Sequence, residues 1–183
     1  MIYFFTPYLK DNLGAAYNHY CSLVPHNNDW ITFMDGDIMQ MYMNWSEIWS
    51  NILQRYDNAG IITCMTNRVS KLNTDQLDKN MYEETNILKH KNHAQKLYET
   101  YDIQTKEMTI NFMSGFFFSF KKQTWIDCGG FTNGILHVDT NFYHNVKNIG
   151  KKVLVAKGFY VFHYYRMAEG EEYTQHLNMT KNS

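Results

Sequence analysis

The sequence predicts an α/β fold, a single domain with a mixed, mostly parallel sheet flanked by helices. Three observations carry that expectation. Short apolar runs of strand length alternate with segments whose apolar residues recur every three or four positions. The first three runs are each separated by one such helical segment, and a β-α-β-α-β order is the pattern of parallel pairing. A length of 183 residues, with 44% hydrophobic and 16% aromatic side chains, suits one substantial core.

Residues 2–5 form the first strand. A polar loop at 6–12 leads into a helix over 13–23, where Leu13, Ala16, Tyr17 and Tyr20 share a face and Pro25 ends the run. Residues 29–34, apolar between polar turn residues, form a second strand that delivers Asp35, Gly36 and Asp37. Asn44 is placed to cap a second helix, with Glu47 three positions on and Ile48, Ile52 and Leu53 at helical spacing. Gly60 introduces a third strand at 61–65. Residues 67–106 are polar and charged, and Met81, Ile87, Leu88, Ala94 and Leu97 space out a long or broken amphipathic helix. That sparse stripe predicts a helical insertion with few buried contacts, packed over the sheet or acting as a mobile lid.

Strand character returns at 112–120. A short helix at 122–128 ends at Gly129 and Gly130, and another runs over 139–148 to Gly150. Residues 153–156 and 159–163 read as two strands joined by a turn at Lys157 and Gly158. The polar tail from about residue 167 reads as loosely ordered.

Seventeen Lys and Arg against eighteen Asp and Glu give a formal net charge of −1, with no basic stripe to suggest a nucleic-acid partner. Cys21, Cys64 and Cys128 are odd in number and widely spaced, as reduced thiols would be. The apolar start lacks the basic residues and length of a signal peptide. No run approaches the ~18 residues of a membrane span. A soluble, cytoplasmic protein is expected, its oligomeric state left open.

Four features could carry chemistry. Asp35 and Asp37 stand at i, i+2 after a strand, where alternation would point both carboxylates the same way. Gly36 between them lets a ligand approach the backbone. The pair suits a hard divalent cation that keeps positions open for phosphate oxygens. Thr6, Pro7 and Tyr8, with Asn18 on the helix behind, follow a strand at the end where α/β sheets bind nucleotides. No Rossmann or P-loop glycine motif is present. Asp139 opens a helix, as a capping carboxylate or as a general base. His163 ends a strand and is followed by Arg166; a neutral imidazole is a good ligand for Mn²⁺-like metals, and an arginine can pair with phosphate.

The order of these pieces resembles the GT-A nucleotide-sugar glycosyltransferases, in particular the inverting family 2 enzymes. The matching stretches are residues 13–18, 29–37, 114–117 with 129–131, 138–139 and 160–166. The resemblance implies transfer of a sugar from a UDP- or GDP-linked donor to the hydroxyl of a glycan or other acceptor, with Mn²⁺ or Mg²⁺. It implies that Asp35, Asp37 and His163 hold the metal, and that Asp139 is the catalytic base. Thr6, Pro7, Tyr8, Asn18, Asp35, Gly115 and Arg166 would line the sugar-nucleotide site. The chain departs from the family at Val138, where a glutamate is common, so one carboxylate of the usual pair is lost and His137 becomes a conceivable substitute. A degenerate GT-A domain that only binds sugar nucleotide is the main alternative. A nucleotidyltransferase ranks lower, because residues 6–12 lack its glycine- and lysine-rich loop.

Overall fold

The computed structural model describes residues 1–165. Within them, seven strands form one mixed sheet flanked by five α-helices, in the order β1 (Ile2–Phe5), α1 (Leu13–Leu23), β2 (Trp30–Met34), β3 (Ile38–Gln40), α2 (Trp45–Arg55), β4 (Ile61–Thr66), α3 (Ile87–Tyr101), β5 (Thr105–Glu107), β6 (Phe117–Lys121), α4 (Lys122–Asp127), α5 (Val138–Asn148) and β7 (Val153–His163). A 3₁₀ turn at Lys79–Met81 precedes α3. The expected polar tail and Arg166 lie outside the described residues.

Across the sheet the strands run β1-β2-β6-β4-β7-β3, with β5 also on β7. Only β1/β2 and β4/β7 pair in parallel; the other four pairings are antiparallel. The sheet is therefore mostly antiparallel, and the expectation of a mostly parallel one is corrected. The cause is local. β6 inserts between β2 and β4, and a short, Phe-rich run carries no signal of its direction. β3 and β5 are three residues each, too short for a periodicity to register. Even so, β1, β2, β4 and β7 all point one way, as the β-α-β-α-β reading requires of the first three.

Alternation along the strands divides the core between two faces. Trp30, Ile62, Cys64, Phe117 and Tyr160 join α2 and α3 on one side. Ile31, Phe33, Ile61, Phe118 and Phe120 join α1 and α5 on the other. α1 begins at Asn12, whose side chain accepts from Ala15 N, and it lies so close to the 132–134 loop that a Cβ on Gly14 would sit 1.8 Å from Thr132 O. Only glycine fits there. Asn44 occupies the N-cap position of α2, but its side chain caps nothing.

The final strand also departs from expectation. Residues 153–163 are one strand, and its pairing with β4 jumps from Cys64↔Ala156 to Met65↔Tyr160, so residues 157–159 form a bulge. Gly158 lies against the Asp102 backbone, where a Cβ would be 1.9 Å from Asp102 O. The Tyr42 hydroxyl holds the bulge, accepting from Tyr160 N and lying within 2.8 Å of Gly158 O and 3.0 Å of Ala94 O.

The 67–106 insertion is not sparsely buried. Val69, Leu77, Met81 and Ala94 lie in the core, and so do the polar Asn67, Thr74, Gln76 and His90. Most of their polar atoms have partners: Gln76 Nε2 donates to Thr63 Oγ1 and Ser114 O, and His90 Nδ1 meets Tyr160 Oη at 2.7 Å, while Asn67 Nδ2 is buried without one among the described residues. A polar side chain can enter a core when its hydrogen bonds are made there, which composition cannot reveal. The segment packs over the sheet.

One buried polar node offers a test of the core. Ser119 Oγ lies 2.6 Å from Thr32 Oγ1 and accepts from Trp49 Nε1 at 2.9 Å, all three residues being buried. Ser119→Ala would leave two buried groups without that partner. The expected loss is about 2–4 kcal/mol in urea unfolding, whereas a loss under ~0.5 kcal/mol would mean that the core readjusts freely.

Candidate active site

Because β1, β2, β4 and β7 run the same way, their carboxyl ends lie along one edge of the sheet. Thr6, Asp35, Asn67 and His163 follow or end those four strands in turn. β6 runs oppositely, so the segment leading into it, with Gly115 and Phe116, reaches the same edge. Asp35 N donates to Phe116 O at 2.8 Å and fixes the junction.

Asp35, Asp37 and His163 meet there, each offering one ligand atom with all three within 4.8 Å of one another. His163 Nε2 is 3.3 Å from Asp37 Oδ1 and 3.8 Å from Asp35 Oδ2. The carboxylates do not converge by strand alternation, as expected, because residues 35–37 turn between β2 and β3 and leave the strand. β3 then pairs with β7, matching Ile38 with His163. That register brings Asp37 beside the imidazole.

The ring is set from behind. His163 Nδ1 lies 2.8 Å from Arg68 O, and a carbonyl can only accept, so Nδ1 carries the proton. In the neutral ring Nε2 then presents a lone pair. That atom is buried and makes no well-directed hydrogen bond. The His163 backbone N donates to Asn67 Oδ1 at 2.7 Å, and Phe116 stacks on the imidazole at 5.3 Å between centroids. An orphaned buried nitrogen facing two carboxylates fits a divalent cation of the Mn²⁺ or Mg²⁺ type, whose ligand atoms stand no more than ~4.5 Å apart at bond lengths near 2.2 Å. The widest separation in the cluster closes to that limit with a small side-chain rotation.

Electrostatics point the same way. Protein encloses the Asp35 carboxyl on most sides, although 44% of its side chain stays exposed. Burial raises its pKa to about 7, offset in part by His163 and reinforced by Asp37 and Asp139. Asp37 is held below the usual carboxylate range by the neighbouring imidazole. Asp139 is raised by burial against the opposing pull of the Thr140 and Gly115 N–H groups. Its Oδ2 accepts from Gly115 N at 2.6 Å and its Oδ1 from Thr140 N at 2.8 Å. A Cβ on Gly115 would stand 2.9 Å from Asp139 Cβ, so glycine lets the two segments close.

The other expected residues divide. Thr6 stands beside Gly36, its Cγ2 3.7 Å from where a Cβ would be. Pro7 is half-buried and Tyr8 is 81% exposed, so Tyr8 is no core residue. Asn18 is turned to structural use: Oδ1 accepts from Trp125 Nε1 and Phe131 N, and Nδ2 donates to Phe131 O. His137 caps α5 at a φ of 60° and is exposed. Asn67 and the Arg68 carbonyl, which orient His163, escaped sequence reading. Their one signal was a polar pair, Thr66 and Asn67, directly after an apolar strand.

Asp35→Asn is expected to raise the melting temperature of the metal-free protein near pH 7.5, because it relieves repulsion among buried carboxylates. The same variant should lose the upward shift that Mn²⁺ gives the wild type. A lower melting temperature with an intact Mn²⁺ shift would remove Asp35 from the cation site. Asn67→Ala is expected to weaken Mn²⁺ binding in calorimetry by about 10–100-fold, the usual effect of losing a residue that orients a ligand.

No protein-family model matches the chain, and no curated protein sequence matches it significantly.

Proposed function

We propose that this protein is a metal-dependent GT-A glycosyltransferase that moves a sugar from a UDP- or GDP-linked donor to an acceptor hydroxyl with inversion. The observation that carries the reading is the meeting of Asp35, Asp37 and the orphaned His163 Nε2 at the carboxyl edge of the sheet, with Asp139 at the same edge. The sequence resemblance to the family supplies the reaction class. A bound Mn²⁺ or Mg²⁺ would neutralise the diphosphate and act as Lewis acid toward the departing nucleoside diphosphate.

The chain's own groups account for the rest. Asp35, Asp37 and His163 would hold the cation, which would supply charge neutralisation to the diphosphate end of the donor. Asp139 takes the proton from the acceptor hydroxyl as that oxygen bonds to C1 of the sugar. The bond from C1 to the diphosphate oxygen breaks, and its electron pair leaves with the diphosphate. Two backbone N–H groups fix the Asp139 carboxylate, yet each of its oxygens retains a second lone pair for the proton. Its raised pKa brings it nearer the working range of a base. Thr6, Pro7 and Tyr8 border the nucleoside side, and Gly115 lets the backbone approach the donor.

One observation favours a second reading, a domain that binds sugar nucleotide without turnover. Asp139 is engaged as a structural clamp, and Val138, in the position of the family's other carboxylate, is a core residue.

Thermal shift with UDP, GDP, CDP and dTDP, each with and without Mn²⁺, tests the binding half of the proposal. Turnover is tested by Asp139→Asn, which should cut kcat by roughly 10²–10⁴ while donor affinity holds. The amide keeps one acceptor oxygen, so one N–H loses its partner and stability should fall by only about 1 kcal/mol. Retention of the donor anomer in the product, read by NMR, would exclude a single displacement at Asp139. Near-full turnover of Asp139→Asn, with loss in His137→Ala, would transfer the role of base to His137.

A further inference from the structure

Tyr17, on α1, is only 2% exposed. Its ring stacks on Phe33 at 4.4 Å and meets the edges of Phe131 at 4.9 Å and Phe118 at 6.0 Å. Two of those contacts lead to the site. Phe33 is on β2, two residues before Asp35. Phe118 lies beside Gly115, its Cε1 3.3 Å from where a Cβ would be, and Asp139 Cβ lies 2.9 Å from the same point. The tyrosine ring is thus packed among the residues that flank Asp35 and Gly115, and both Asp35 and Asp139 act on the phenol electrostatically.

A phenol so enclosed normally has a hydrogen-bond partner. The Tyr17 hydroxyl has none among the described residues, and it is not one of the polar atoms sealed from solvent. Burial, with the two carboxylates, pushes its pKa up, so it remains a neutral donor at any working pH. A rigidly packed donor with no partner among the described residues, close enough to two acidic groups to feel both, is placed for a ligand that carries an accepting oxygen there.

We propose that the Tyr17 hydroxyl donates a hydrogen bond to a hydroxyl of the transferred sugar, making Tyr17 a specificity-determining contact to the sugar and not to the nucleotide. This inference rests on the sugar-nucleotide reading above. In that reading the diphosphate is held at Asp35 and Asp37 and the acceptor at Asp139, so the group lying between them is the donor sugar. The phenol feels both Asp35 and Asp139, the groups at the two ends of that sugar.

Tyr17→Phe tests the idea with the intact chain, because it removes the oxygen and keeps the packed ring. Calorimetry in Mn²⁺ would compare UDP and GDP with UDP-glucose, UDP-galactose and GDP-mannose, alongside urea unfolding. The expected result is unchanged stability and unchanged nucleotide affinity, with a roughly threefold to tenfold weaker affinity for the preferred sugar nucleotide. Equal weakening for nucleotide and sugar nucleotide would overturn the proposal, as would undiminished sugar affinity, the outcome if only a bridging water uses the hydroxyl. A marked loss of stability would overturn it too, by revealing a structural partner. If the wild type binds no nucleotide or sugar nucleotide in Mn²⁺, the functional reading itself fails and takes this inference with it.

Discussion

The long strand β7 is the constraint on which the rest of the structure depends. Its eleven residues pair with β4 along one side and with β5 and β3 along the other, so it ties both edges of the 67–106 insertion to the turn after β2. Buried on both faces, it ends in His163 with the ring already oriented by Asn67 and the Arg68 carbonyl at the end of β4. The bulge at 157–159 sets the register of its second half, and that half carries His163. A one-residue slip in a strand moves side chains to the opposite face. The bulge, held by Tyr42 and permitted by Gly158, thus decides whether residue 163 meets residue 37 at all.

Local electrostatics runs against stability at the same edge. Two carboxylates, Asp35 and Asp37, converge on one imidazole whose outward nitrogen makes no well-directed hydrogen bond. A third, Asp139, acts on Asp35, and burial raises the pKa of Asp35 and of Asp139. A group whose pKa is raised on folding holds its proton more tightly when folded, so it stabilises at low pH. That contribution is lost as pH rises, and for Asp35 the window lies between the ordinary carboxylate range and about pH 7. At neutral pH the metal-free cluster is a strained arrangement kept by the surrounding sheet. A bound cation would convert the repulsion into coordination.

The legible part of the sequence was what periodicity encodes. The span of α1 and the turn glycines after α4 were read correctly, and the strand before Asp35 to within one residue. Of the expected face of α1, Ala16 and Tyr17 are buried and Leu13 and Tyr20 half-buried, while the buried Gly14 and Cys21 were missed. Candidate ligands were legible because Asp35, Asp37 and His163 are ligand-type side chains at strand ends. Strand direction was not legible, since Phe117 and its neighbours are apolar on both faces and pack equally well either way. β3 and β5 were invisible at three residues. The route by which Asp35 and Asp37 converge was misread, because alternation was applied to a segment that had already left the strand.

The insertion shows the deeper limit of composition. Its polar character suggested a lid, but Asn67, Thr74, Gln76 and His90 are polar because they build hydrogen bonds inside the core. Gln76 spans from Thr63 on β4 to Ser114, just before Gly115, so it links the centre of the sheet to the loop that receives Asp139. Asn67 does the same for His163. The segment therefore braces the residues around Gly115 and His163, and changes in it act on the Asp35, Asp37 and His163 cluster through its scaffold. The loops at residues 6–12 and 132–137, joined by Asn12 to Gly134, are by contrast mostly exposed and carry Tyr8, Leu9, Ile135 and Leu136 in solvent.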